Sequence, residues 1–192
     1  MMMPRILAFA GSLRRDSFNK KLVSIAARGA RAAGAEVALI DLKDFPLPLF
    51  DQDVEAEQGM PDHGKKLKKL FIEHDGLLIA SPEHNSSITG VMKNAIDWVS
   101  RPAPGESSLM AFRGKVATLM SASPGALGGL RALVHVRSIL GNIGVVVLPE
   151  QIAVPKAHEA LKPDGSLVDP KQQAAIEGLG NTLAAFLMKL KR

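Results

Sequence analysis

Short apolar runs alternate with longer amphipathic stretches along all 192 residues, and this predicts an α/β protein with helices covering a parallel sheet. Two further observations support that class. The strand candidates read as nearly continuous apolar runs, as strands buried on both faces do. The composition, 46% hydrophobic and 22% charged, is that of a globular chain. At a usual domain size of roughly 100–200 residues, a single domain over residues 1–192 suffices.

Each element follows in turn. Ile6 to Ala10 is the first strand, and a turn-rich GSLRRDS leads into a helix from Asn19 to Ala33, where Leu22, Ile25, Ala26 and Ala30 share a face and Gly34 closes the end. Val37 to Leu42 is the second strand. The loop DFPLPLFDQD follows it, and Pro46 and Pro48 exclude a regular element there. Pro61 to His74 is a helix whose Lys65, Lys66, Lys68 and Lys69 read as a solvated face. Leu77 to Ala80 is the third strand and Gly90 to Arg101 the next helix, on which Asp97 and Arg101 are spaced to pair. Val116 to Met120, Leu130 to Leu140 and Val145 to Leu148 read as strand, helix and strand. Ala157 to Asp169 reads as a surface excursion, and Lys171 to Lys191 as the closing helix. Five parallel strands of this kind fit either doubly wound order, and so short a chain favours the flavodoxin-like three-layer sandwich with strand order 2-1-3-4-5. In that order the crevice lies beyond strands 1 and 3, so the loops starting at Gly11 and Ser81 should share a ligand site.

Composition narrows the function classes. With zero Cys, there is no disulfide scaffold, thiolate nucleophile or iron–sulfur cluster, so redox chemistry needs a borrowed cofactor. No apolar stretch approaches the roughly 18 residues that span a bilayer, so a cytoplasmic chain without a membrane partner is expected. The net charge of +5 suits small anionic ligands. Seven Phe, one Trp and no Tyr, with scattered basic residues, argue against nucleic acid.

Two loops concentrate the chemistry. In Gly11 to Asn19, Ser12 and Ser17 offer hydroxyls, Arg14 a guanidinium and Asn19 an amide beside a helix N-terminus, a set that suits a phosphate monoester. The same residues also suit plain capping by Ser17 or Asn19 with a solvated Arg14. The glycine-rich dinucleotide fingerprint and the P-loop lysine are both missing. In the second loop, ten polar or turn-forming residues from Ser81 to Gly90 exceed what a connection needs. The adjacent Glu83 and His84 point apart in an extended loop, and no second His/Asp cluster completes a metal site. A third loop, Ser121 to Gly129, borders the same crevice and equally suits a flexible turn before the next helix. Met92, Ala95, Ile96, Trp98 and Val99 fall at helical spacing, which marks core or subunit interface.

Through GSLRRDSFN, PEHNSSITGVMKNAIDWVSRP and SASPGALGGLRA, which cover nearly the whole chain in order, the sequence resembles the NADPH-dependent FMN reductase family of flavodoxin-like quinone, azo and chromate reductases. The resemblance implies FMN with its phosphate on Ser12, Arg14, Ser17 and Asn19. It implies the isoalloxazine ring along Pro82, Glu83, His84, Asn85 and Ser87, with Ser123 and Gly125 at its border. The chain departs from the family pattern at His84, where tyrosine is usual, at Ser86, often aromatic, and at Thr89, usually proline; these changes reduce the expected stacking contacts. The implied activity is hydride transfer from NADPH through FMN to a small-molecule acceptor: a quinone, azo compound, metal oxyanion or free flavin. Such chemistry belongs to the cofactor and requires no protein acid, base or metal. NADPH is expected over NADH on the resemblance and on Arg14, Arg15, Lys20 and Lys21, and a homodimer or homotetramer is expected. The competing readings are a non-catalytic electron carrier and a flavin-free binding module.

Overall fold

A computed structural model describes residues 3–190, and its sheet has five parallel strands in the order β2-β1-β3-β4-β5. The strands are β1 (Arg5–Ala10), β2 (Glu36–Asp41), β3 (Gly76–Ala80), β4 (Val116–Ala122) and β5 (Val146–Val154). The helices are α1 (Phe18–Ala32), α2 (Gln52–Gln58), α3 (Asp62–Glu73), α4 (Gly90–Ser100), α5 (Leu130–Asn142), α6 (Ala157–Ala160) and α7 (Pro170–Leu190). This is the flavodoxin-like arrangement and strand order expected from the sequence.

Strand pleat divides the core into two layers. Ile6, Ala8, Ala10, Leu78 and Ala80 face α1 and α7, while Leu7, Phe9, Leu77 and Ile79 face α3, α4 and α5. On the first face two helices approach backbone to backbone. A Cβ on Gly29 would sit 2.0 Å from the Glu177 carbonyl oxygen, and one on Gly180 would sit 1.9 Å from that of Ala26. Any side chain there would push α1 and α7 apart. On the second face Phe9, Phe71 and Phe112 form a tilted aromatic chain with centroids 5.5 and 5.3 Å apart.

Several elements differ from the sequence reading. Buried on both faces as expected, β3 and β4 are central, whereas β2 and β5 are edge strands with exposed and half-buried residues. β5 runs to Val154 through a register shift opposite Ala117–Leu119, at which Arg137 donates to the carbonyls of Val147, Leu148 and Pro149. Periodicity does not show that interruption, because its partner lies in another helix. A 3₁₀ turn (Leu42–Asp44) follows β2, and α2 starts at Gln52 because Asp51 caps it, accepting from the Asp53 and Val54 N–H groups. The segment 157–169 opens with α6, and it buries Ala157, Leu161 and Leu167 against the core. Within the lysine run Lys68 is buried, ion-paired to Glu106 and donating to the Arg101 carbonyl, while Lys65, Lys66 and Lys69 stay exposed. Asp97 pairs with Lys93, not with Arg101, and the Arg101 guanidinium reaches Glu55 at 2.8 Å. The expected end of the last helix, Lys191, lies outside the described residues. No described helix is long and apolar enough to cross a membrane.

Candidate functional site

The chain reverses its winding at β1, and the loops leaving β1 and β3 diverge over a crevice at the carboxyl end of the sheet. Both loops leave in register: the Gly11 N–H donates to the Ala80 carbonyl and the Ser81 N–H to that of Met120, each at 2.9 Å. A cavity of about 430 Å³ opens there between three loops. One wall comes from Gly11 to Arg14 and Ser17 to Asn19, a second from Pro82 to His84 and Thr89 to Val91, and the third from Ala122 to Pro124.

The first wall presents donors. Ser17 occupies the N-cap position of α1 in extended conformation; its carbonyl accepts from the Lys21 N–H, but its side chain does not cap the helix, so the first-turn N–H groups keep their outward aim. The side chain of Asn19 faces away from capping: its amide donates to the Ala122 carbonyl at 2.8 Å and accepts from the Ala122 N–H at 3.0 Å, tying α1 to β4. Arg14 is exposed and lies over the Phe18 ring at 4.9 Å. The capping alternative is therefore not realised by either Ser17 or Asn19. Of the basic residues Arg14, Arg15, Lys20 and Lys21, Arg14 lines the cavity; Arg15 is exposed outside its wall, Lys20 is paired to Asp41 and Lys21 to Asp16.

The second wall is held by its own polar side chains. Glu83 receives the guanidinium of Arg131 and also its backbone N–H, which fixes the loop on the first turn of α5. Burial pushes the Glu83 carboxyl up, but Arg131 and the backbone N–H groups of Arg131 and Ala132 outweigh that effect and hold it below the ordinary glutamate value. Thr89 caps α4 by accepting from the Met92 N–H, and its hydroxyl donates to the Gly11 carbonyl at 2.7 Å, joining the two loops. His84 and Ser87 exchange backbone hydrogen bonds across a tight turn in which Asn85 and Ser86 have φ of 49° and 67°. The Ser87 hydroxyl lies 2.8 Å from the His135 Nδ1.

Thus Ser12, Arg14, Ser17, Asn19, Pro82, Glu83, His84 and Ser123 line one cavity, whereas Asn85, Ser87 and Gly125 lie outside its wall. The glycines that the third loop needs are Gly128 and Gly129. Both have positive φ, and a Cβ on Gly129 would meet the Ser121 hydroxyl at 1.9 Å. Sequence reasoning missed Arg131 and His135, which hold the second loop from α5, and the wall residues Leu13 and Phe18. Arg131 and His135 carry no local signal, since their partners are 48 residues away. No group of three or more His, Asp or Glu able to hold a metal occurs among the described residues.

The comparisons with known proteins concern the chain as a whole. The chain is 34% identical to a probable NADPH:quinone oxidoreductase 2 of Oryza sativa subsp. japonica over 97% of its own length and 90% of that protein. It is 33% identical to an NAD(P)H-dependent FMN reductase of Pseudomonas aeruginosa, with 97% of both chains covered. Among solved structures, the flavoenzyme NAD(P)H:(acceptor) oxidoreductase FerB of Paracoccus denitrificans superposes with a TM-score of 0.80 at 29% identity, covering 97% of this chain and 98% of that one. Residues 4–159 match the family described as NADPH-dependent FMN reductase, and the chain belongs to that family.

Proposed function

We propose that the chain binds FMN in the crevice over β1 and β3 as one flavodoxin-like unit and uses it to carry electrons from a reduced nicotinamide to quinones or related acceptors. One observation carries this reading: the uncommitted donors Ser12, Arg14 and Ser17 surround the first turn of α1 on the same cavity that Pro82 to His84 wall from the other side. A phosphate monoester fits that arrangement, since hydroxyls, a guanidinium and orphan helix N–H groups lie together on one wall of the cavity. The cavity volume is that of a small-molecule site. FMN, when bound, supplies the two-electron chemistry. The residues of the chain supply the rest. Arg14 and the serines anchor the phosphate, and the Asn19 side chain sets the position of α1 against β4. The Pro82 to His84 backbone forms the second wall, which Glu83, Ser87 and Thr89 hold in place from outside or beneath.

Arg15, exposed and next in sequence to the Arg14 assigned to FMN, offers a cation to a nicotinamide 2′-phosphate, which supports NADPH as donor. Homo-oligomerisation is supported by α5, whose Leu130 and Val134 are 43% and 60% exposed. The apolar residues of α4, Trp98 included, are consumed within the chain. A cytoplasmic setting suits a cysteine-free enzyme that draws on NADPH. The test is a titration of the apo-protein with FMN, followed by flavin fluorescence, and then NADPH oxidation with a quinone present. Binding and turnover together support the reading, and failure to bind FMN overturns it.

A further inference from the structure

A second cavity, of about 270 Å³, adjoins the first and shares Leu13 and Val91 with it. It lies between the loop after β2 and α4, and its walls are apolar: Leu42, Phe45, Leu47, Leu67 and Ala95, with Lys43 at the exposed rim. The outer wall is preformed. Asn94 accepts from the Phe50 N–H at 2.8 Å and donates to the Pro48 carbonyl at 2.9 Å, while the Trp98 indole N–H donates to the same carbonyl at 2.8 Å. Pro46 and Pro48 restrict the loop further. A fixed apolar chamber opening beside a polar, anion-receiving one divides a ligand by chemistry: the charged part belongs to the α1 side and an apolar part belongs here.

Resting on the proposed function, we propose that this annexe is a specificity subsite for the electron acceptor, taking the apolar ring or substituent of a substituted quinone. Its walls offer a compact quinone ring alone little to contact. Acceptors with a fused second ring or an alkyl substituent gain buried apolar surface that unsubstituted benzoquinone lacks. The α4 side chains and the prolines of the preceding loop thereby select the substrate without touching the reacting atoms.

The test compares 2-methyl-1,4-naphthoquinone with 1,4-benzoquinone on the FMN-loaded enzyme, and the absence of cysteine removes thiol arylation as a complication. Ala95→Leu places extra carbon in the annexe. It is expected to raise KM for the naphthoquinone about tenfold while KM for benzoquinone and FMN affinity stay unchanged. A second measurement needs no variant: the indole N–H resonance of Trp98, the one tryptophan, should shift when the naphthoquinone is added to oxidised holoenzyme and stay in place with benzoquinone. An unchanged KM ratio in Ala95→Leu, or an indole signal that ignores the naphthoquinone, overturns the subsite. If Ala95→Leu weakens FMN and riboflavin binding alike, the annexe belongs to the flavin ring and the proposal is also overturned. A wild-type chain that does not bind FMN overturns the functional reading instead, which the titration detects before any acceptor is added.

Discussion

The loops after β1 and β3 are equally rich in polar side chains, yet they use them in opposite ways. Between Gly11 and Asn19, Ser12, Arg14 and Ser17 are turned to the cavity or its rim, while Asn19 is taken up by the protein through two bonds to Ala122 and Asp16 by its pair with Lys21. Between Pro82 and Gly90, the polar side chains hold the protein together: Glu83 on Arg131, Ser87 beside His135, Thr89 on Gly11 and Met92. In the proposed function a ligand meets side chains on one wall and mainly backbone on the other. Residue type therefore indicates a site in both loops, but only burial and partners tell a ligand-binding group from a strut.

The sharpest way to break this contrast is to remove the strut in the first loop. Asn19→Ala leaves the N–H and C=O of Ala122 buried without partners, and each such group costs roughly 1–3 kcal/mol. A loss of about 3 kcal/mol in unfolding free energy is expected, read by urea denaturation. A loss no larger than that of a surface substitution would put Asn19 with the ligand groups.

Arg14→Ala tests the opposite role. Arg14 is exposed and, among the described residues, makes no ion pair within 4 Å, so the fold should keep its stability. FMN binding should weaken by about 1.5–3 kcal/mol while riboflavin, which has no phosphate, is nearly unaffected. Equal losses for both ligands would move Arg14 out of the phosphate site.

The parts legible in sequence were those encoded locally. The apolar runs reported β1, β3 and β4, because a strand covered on both faces needs apolar residues at every position. The alternation of elements reported the parallel sheet, and the short chain selected the strand order that places the crevice over β1 and β3. What stayed hidden depends on distant partners. Lys68 looks like any exposed lysine until Glu106, 38 residues on, covers it. Leu161 and Leu167 look like loop residues until α7 and the sheet close over them. Nothing near Glu83 in the sequence announces that its charge is answered by Arg131 on α5.

Glu83→Gln probes that role with a smaller effect. The substitution keeps the shape and removes the charge. Because the Arg131 side chain is 56% exposed and solvent-screened, the loss should be about 1 kcal/mol. It should fall on FMN and riboflavin equally, since the loop wall, not a phosphate contact, is loosened. The Glu83 carboxyl is held below its ordinary value in the folded chain, so its contribution is complete above the usual glutamate range and is lost as pH falls through the lowered value. Below that point wild type and Glu83→Gln should converge in stability. A selective loss of FMN, or an equal gap between the two proteins throughout acid, would show that Glu83 meets the ligand and not the helix.

The smallest effect is expected at His84, the one polar residue of the second loop's cavity wall that is exposed and whose hydrogen bonds, among the described residues, are made by the backbone. The turn that carries it is fixed by the exchange of hydrogen bonds between His84 and Ser87 and by the positive φ of Asn85 and Ser86, so a new side chain at 84 leaves the turn unchanged. Where a ring lies against a planar ligand, stacking contributes roughly 0.5–1.5 kcal/mol beyond the area buried. An imidazole already supplies part of that, so enlarging it to a phenol should add only about 0.5 kcal/mol. His84→Tyr is accordingly expected to tighten oxidised FMN and riboflavin alike, about twofold by fluorescence titration, with no change in unfolding free energy. Parallel tightening separates the two walls once more, because phosphate is read on the first and the ring on the second. Identical affinities in His84→Tyr and wild type would instead place the side chain in solvent and leave the second wall as backbone only.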